Sequence, residues 1–271
     1  MGGAIARGID GAPAFIMKVS IIIPAAGSGQ RFGGDKLSRD LHGRPVLVRT
    51  IEAFTRRDEV AQIIVAGPPE GFELFADRFG PVLGFHGVDL VQGGRADRWE
   101  TVSLALQAVS EDATHVGVHD AARPCLSEAM LDRVFEAADR LDAVIPGVDI
   151  SSTVKEVDRK RSQDVAVTDA LADAILGAET ADRLEAMPVT RTVPRDGLIL
   201  AQTPQIFRGD LLARVAAKGM MDGVSDDASA VEQLGVDVHV VPGDPCNIKI
   251  TQPEDLALAA AILSGLRSGG L

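Results

Sequence analysis

The stretch SIIIPAAGSGQRFGGDK, Ser20–Lys36, decides the fold. Ser20–Ile23 is a short apolar, β-branched run that reads as a buried strand. Pro24 has no N–H to give a central ladder, so the strand is expected to stop before it. Ala25, Ala26 and Ser28 follow, interleaved with Gly27 and Gly29, and Gly33 and Gly34 come after them. Small residues let the backbone approach a ligand closely, and successive outward N–H groups make a concave anion site. Arg31 and Lys36 add two cations just beyond. A strand entering a Gly-rich turn with cations behind it suits a polyphosphate. The bland alternative is a plain turn that binds nothing. The stretch is neither a Walker loop, which wants Gly-Lys-Ser/Thr, nor the GxGxxG dinucleotide fingerprint.

Outward from this loop, apolar runs alternate with amphipathic stretches. Pro45–Arg57 has helical spacing, Gln62–Gly67 and Val88–Gly94 read as strands, and Arg98–Val109 reads as a helix with Val102, Leu104, Ala105, Leu106 and Val109 inward. His115–Pro124 is a strand running into a polar turn, Ser127–Leu141 a helix N-capped by Ser127, and Ala143–Val148 another strand. This alternation predicts βαβ units, hence an α/β fold: a Rossmann-like, three-layer, mainly parallel sheet. Ligands of such sheets bind beyond the carboxyl ends of the strands, so the turns 25–36, 92–98 and 119–124 are expected to converge.

Residues 149–195 break the pattern. The segment is polar, with extended pieces at Thr153-Val154-Lys155 and Arg191–Arg195 around a middle, Val165–Leu184, expected to be helical. It reads either as a surface insertion or as an arm that leaves the sheet and returns. The sheet pattern resumes over 196–271, with strands at Leu198–Leu200, near Ile206 and at Val236–Val241. Helices are expected from Asp210 and over Ser225–Leu234. Asn247–Ile250 reads as a strand leading to a capping box, Thr251–Glu254, and a final helix, Asp255–Leu266. Residues 17–148 would then form the nucleotide-binding part of one α/β domain. Residues 1–16 read as a disordered leader, with Met17 an alternative start.

With 271 residues, 46% hydrophobic, the chain can bury one large core. A net charge of −12 argues against a general nucleic-acid binder, whose surface would be basic. No apolar run is long enough to span a membrane, so no membrane partner is expected. Two cysteines without a CxxC, and five histidines without ligand spacing, argue against a disulfide framework or a zinc site and make a reducing cytoplasm the default.

The order Ala25-Ala26-Gly27-Ser28-Gly29-Gln30-Arg31 with Lys36 after it resembles the AAGxGxR…K signature of nucleotidyltransferases. Gly93-Gly94 followed by Arg98 and Thr101, HDAARP at 119–124, TPQIF at 203–207, SDDASAVE at 225–232 and NIKIT at 247–251 narrow the likeness. From about Val19 to Leu266 the chain resembles the cytidylyltransferases that make 4-diphosphocytidyl-2-C-methyl-D-erythritol. Departures are a shorter loop between Arg31 and Lys36, Thr101 where the family has Ser, and a longer segment between Lys155 and Arg195.

The resemblance implies attack of a polyol phosphate, 2-C-methyl-D-erythritol 4-phosphate, on the α-phosphorus of CTP, with Mg²⁺ as cofactor and a homodimer whose arms, 149–195, interlock. It implies catalytic roles for Arg31, Lys36 and Lys249, and nucleotide contacts from Ala25, Ala26, Gly27, Ser28, Gly29, Gly93, Gly94, Arg98 and Thr101. It assigns the acceptor to Asp120, Arg123, Thr153, Arg195 and Thr203, with Asp120 also near the metal. The competing readings are a ribitol 5-phosphate cytidylyltransferase, a molybdopterin-type nucleotidyltransferase, and a non-catalytic nucleotide-binding regulatory domain. The last has no need for the acceptor residues Asp120 and Arg123.

Overall fold

The computed structural model describes residues 17–27, 32–167, 182–219 and 224–267. The expected leader, 1–16, lies outside them. The chain divides into two compact units, Met1–Val148 with Ala201–Leu271, and Asp149–Leu200.

In chain order the first unit runs β1 (Val19–Pro24), α1 (Val46–Glu52), β2 (Val60–Gly67), α2 (Phe72–Phe85), β3 (Asp89–Gln92), α3 (Arg98–Ala105), β4 (His115–Val118), α4 (Glu128–Ala138) and β5 (Ala143–Asp149). The second unit carries β6 (Val154–Val157), β7 (Gln163–Val167), β8 (Asp182–Ala186) and β9 (Val189–Val193), and β10 (Ile199–Ala201) leads the chain back. The first unit is completed by β11 (Gln205–Arg208), α5 (Gly209–Lys218), α6 (Asp227–Glu232), β12 (His239–Pro242) and α7 (Asp255–Arg267).

The sheet of the first unit has the order β3-β2-β1-β4-β11-β5, with β12 also beside β5. All these pairings are parallel except those of β11, which runs antiparallel between β4 and β5. Side chains alternate across it as strand geometry requires. Val19, Ile21 and Ile23 of β1 join one core with Leu47 and Ile51 of α1, Phe79 of α2 and Phe135 of α4. Ile22 joins the other with Val102 of α3, Leu211 of α5 and Val231 of α6. A sheet buried on both faces explains the nearly unbroken apolar run at Ile21–Ile23.

Several local expectations need correction. β1 continues through Pro24, paired opposite Ala66, because the next donor, Ala25 N–H, reaches Ala66 O at 2.7 Å. Leu104 is on the exposed side of α3, and the helix tightens to a 3₁₀ turn at Leu106–Ala108. Ser127 holds the N-cap position of α4 without a side-chain cap bond. Asn247–Ile250 is not a strand, and Asp255 rather than a Thr251–Glu254 box caps the last helix: its Oδ2 accepts from Thr251 N at 2.7 Å and Gln252 N at 2.9 Å.

In the second unit, β6 and β9 pair antiparallel, with Lys155 opposite Thr192. β7 and β8 form a second antiparallel pair, Gln163 opposite Ala186. The ends of the expected helix Val165–Leu184 are therefore strand, with Val165 opposite Leu184 across a two-stranded ribbon; its remainder, 168–181, lies outside the described residues. Among the described residues no helix is long and apolar enough to cross a membrane.

Candidate active site

The carboxyl ends of β1, β3 and β4 open onto one cleft of about 400 Å³. It is lined by Ala25, Ala26, Gly27 and Lys36 from the first loop, Gly94, Arg98 and Thr101 from the turn after β3, Asp120 after β4, and Lys249. The three turns converge as the parallel topology requires. Close approach explains the glycine pair. A Cβ on Gly93 would stand 2.7 Å from Gly67 O and 3.0 Å from Ala26 Cβ, so only glycine lets β2, the first loop and this turn meet. Thr101 is buried, and its Oγ1 accepts from Gly94 N at 3.1 Å and donates to Asp97 O at 3.3 Å. It therefore shapes the turn as well as lining the cleft.

Asp120 is the electrostatic centre. Its Oδ2 receives Lys249 Nζ at 3.0 Å and Arg123 Nε at 3.1 Å, and Arg98 Nε lies 3.8 Å from Oδ1. Burial alone would raise the Asp120 pKa, but Lys249, Arg98 and Arg123 override it and hold the carboxyl well below its usual range. More cations than carboxylates face the cleft, which therefore attracts anions. Lys36 donates to Ile250 O at 3.0 Å, bringing the first loop against the segment that carries Lys249. Ile250, buried, and Ile248, packed on the core, anchor that segment without a strand. Ile250 N donates to Ala122 O at 2.9 Å, and Arg123 Nη1 to Asn247 O at 2.7 Å, so the turn after β4 and the Lys249 segment form one body.

Behind Asp120 lies a buried polar cluster. His119 N extends the sheet to Ile22 O at 2.9 Å, while its side chain is fully buried against Phe54. His119 Nε2 lies 3.1 Å from Arg123 O, and Nδ1 lies 3.1 Å from Thr203 Oγ1. A carbonyl only accepts, so Nε2 carries the proton, and the neutral ring then accepts the Thr203 hydroxyl at Nδ1. Burial pushes the His119 pKa down to about 4. The same Thr203 oxygen accepts Asp120 N–H at 3.0 Å, and Asn247 Nδ2 donates to Thr203 O at 2.9 Å. Thr203 thus braces Asp120 from behind.

Of the residues marked from sequence, Ala25, Ala26, Gly27, Lys36, Gly94, Arg98, Thr101, Asp120 and Lys249 line one cleft, while Gly93, Arg123 and Thr203 support it. Ser28, Gly29 and Arg31 lie outside the described residues. Thr153 and Arg195 belong to the second unit, where both are exposed and Arg195 Nη1 donates to Ile150 O at 3.2 Å and to Ser151 O. Sequence reasoning assigned nothing to His119, although it opens the HDAARP motif, nor to Asp227 within SDDASAVE. Asp227 Oδ2 receives Arg98 Nη1 at 2.6 Å.

The family model described as 2-C-methyl-D-erythritol 4-phosphate cytidylyltransferase matches residues 19–171 and 160–265. The chain belongs to this family. It is 43% identical over 251 residues to the 2-C-methyl-D-erythritol 4-phosphate cytidylyltransferase of Frankia casuarinae, covering 91% of this chain and 82% of the relative. It is 38% identical to the enzyme of that name from Acidobacterium capsulatum, covering 91% and 98%. Among solved structures, the Thermus thermophilus 2-C-methyl-D-erythritol 4-phosphate cytidylyltransferase superposes with a TM-score of 0.66 at 32% identity, over 92% of this chain and 100% of that one. A 4-diphosphocytidyl-2C-methyl-D-erythritol synthase gives 0.69 at 29% identity, over 91% and 99%. These solved structures share the mainly parallel α/β fold seen here.

Proposed function

We propose that this chain transfers CMP from CTP to 2-C-methyl-D-erythritol 4-phosphate, giving 4-diphosphocytidyl-2-C-methyl-D-erythritol and pyrophosphate for isoprenoid synthesis. The observation that carries the reading is the meeting of the Ala25–Gly27 loop, the Gly93–Thr101 turn and the Asp120–Lys249 cluster in one cleft of a chain from this family. An acceptor phosphate oxygen forms the new bond to the α-phosphorus as the bond to the bridging β-phosphate oxygen breaks. Both reactants are anions, so the protein contributes chiefly positioning and charge neutralisation. Lys36 and the first part of the loop, Ala26 and Gly27, would hold the triphosphate, together with Arg31. Gly93, Gly94 and Thr101 would frame the base and ribose, Lys249 would stabilise charge on the α-phosphate, and Asp120 and Arg123 would hold the acceptor.

Among the described residues no group of three or more His, Cys, Asp or Glu side chains could hold a metal ion by itself. Mg²⁺ is ordinarily held by one or two carboxylates with phosphate oxygens and water, and Asp120 supplies one ionised, hard oxygen donor at this cleft. The residues fit that mode, with Asp120 as the protein ligand; when bound, the ion would neutralise triphosphate charge. We place the reaction in the cytoplasm and assign the second unit, Asp149–Leu200, to a homodimer arm whose Thr153 and Arg195 serve the partner's acceptor. Pyrophosphate release from CTP tests the reading: it is expected with methylerythritol phosphate and Mg²⁺. Equal release with ribitol 5-phosphate, or none with either, would overturn it.

A further inference from the structure

The motif SDDASAVE has no part in the mechanism above, yet its second aspartate is among the most deeply placed carboxylates of the chain. Asp227 is fully buried at the start of α6. Its position is fixed: Asp226 caps the helix through Ser229 N at 3.0 Å, Gln205 Nε2 holds Asp226 Oδ2 at 2.7 Å, and Gln205 Oε1 accepts Ala228 N at 2.9 Å. Asp227 Oδ2 receives Arg98 Nη1 at 2.6 Å, while its Oδ1 is buried without a hydrogen-bond partner among the described residues. A buried ion pair with an unsatisfied oxygen is a poor way to stabilise a fold. The same guanidinium reaches only to 3.8 Å from Asp120 Oδ1.

We propose that Asp227 is a positioning residue for the transfer reaction: it draws the Arg98 guanidinium back from Asp120, so that Asp120 stays paired with Lys249 and Arg123 facing the cleft. Arg98 acts as a bridge between a deep carboxylate and a shallow one, and its forked geometry is what allows it to serve both. Burial disfavours charge on both partners: Asp227 and Asp120 more than offset it for the Arg98 cation, while for Asp227 burial outweighs Arg98 and raises the carboxyl pKa. Without the Asp227 charge, Arg98 is free to close on Asp120 and compete with Lys249 for it. The cleft would then be more positive but its lysine misplaced, which binds nucleotide and transfers it poorly.

The inference rests on the proposed function, and the wild-type assay separates the two. If the wild-type enzyme releases no pyrophosphate from CTP and methylerythritol phosphate, the function fails; if it does, the variants address Asp227 alone. Asp227→Asn keeps the shape and removes the charge. It is expected to lower kcat by about 10- to 100-fold, the usual weight of a partner that orients a functional group, with KM for CTP unchanged or lower. A merely structural lesion would raise KM and lower kcat together. Arg98→Gln and the Asp227→Asn/Arg98→Gln double variant complete a cycle: the double variant should be no slower than Arg98→Gln alone. Arg98→Lys, whose single ammonium cannot span both carboxylates, should reproduce the kcat loss even if Asp227→Asn does not fold. Wild-type kcat in Asp227→Asn or Arg98→Lys, a raised KM for CTP in Asp227→Asn, or additive losses in the cycle, would overturn the assignment.

Discussion

His119 makes the stability of this enzyme acid-sensitive in a window that can be worked out from its surroundings. The ring is fully buried and neutral, and burial lowers its pKa from 6.5 to about 4. In the unfolded chain it titrates at its ordinary value, so between those pH values the unfolded state binds a proton that the native state refuses. The stabilisation is therefore complete above pH 6.5 and is lost as the pH falls towards 4. At 1.36 kcal/mol per pH unit, the gap is worth about 3 kcal/mol. Asp120 does not blur this window: its carboxyl is held below the usual range, so its own contribution is lost only at more acid pH. The perturbation is His119→Gln, which removes the titration. Urea denaturation of both proteins at pH 7 and pH 4 gives four stabilities. The variant is less stable at pH 7, since it loses the bonds to Arg123 O and Thr203 Oγ1. On acidification the wild type should lose about 3 kcal/mol more than the variant. Parallel losses, within about 1 kcal/mol, would refute the buried, neutral ring and its part in bracing Asp120.

Other outcomes follow from the same cleft. Lys249→Ala and Lys36→Ala should each lower kcat by ~10²-fold or more, as when an electrostatic stabiliser is removed, with far-UV circular dichroism unchanged; a normal kcat would take that lysine out of the mechanism. Gly93→Ala forces a Cβ to 2.7 Å from the Gly67 carbonyl, and overpacking of this kind typically costs about 1–3 kcal/mol, read as a lowered urea midpoint. CTP should be preferred strongly over ATP and GTP in competition, and equal turnover of GTP would contradict a cytidylyltransferase. Lys36→Ala and Arg195→Ala chains refolded together should regain roughly a quarter of wild-type activity if Arg195 serves the partner's site in a two-fold dimer; verified mixed dimers without recovery would end the cross-subunit role.

Sequence reading located the sheet and the cleft well because both rest on local signals: buried β-branched runs for β1, β2 and β5, and small or charged residues at their carboxyl ends. It failed where local chemistry and tertiary context pull apart. Helix α2 contains Gly80, Pro81 and Gly84 and buries only Phe79 and Leu83, so its periodic signal is faint. The Lys249 segment imitates a strand because Ile248 and Ile250 alternate with charge, yet its backbone pairs with the turn at Ala122 rather than with a strand. Val165 and Leu184 carried a helical expectation that cross-strand pairing overrode. His119 and Asp227 were visible as letters in two motifs, but their roles depend on partners at residues 203 and 98, contacts that no spacing rule encodes.

The antiparallel strand β11 has a consequence for how the molecule is born. β4 and β5 are close in sequence but do not touch as strands; the slot between them is filled by β11, Gln205–Arg208, after the chain has passed through the whole of Asp149–Leu200. Until that late segment is synthesised, a nascent chain exposes two unpaired edges at the centre of its sheet, where another chain could dock. Insertion of β11 also delivers Thr203 to His119 and Asp120, while β12 and the segment that carries Lys249 follow later in the chain. Such pairing across distant sequence is slow to form. A truncated chain ending within the second unit should therefore be prone to aggregation and unable to brace Asp120 through Thr203.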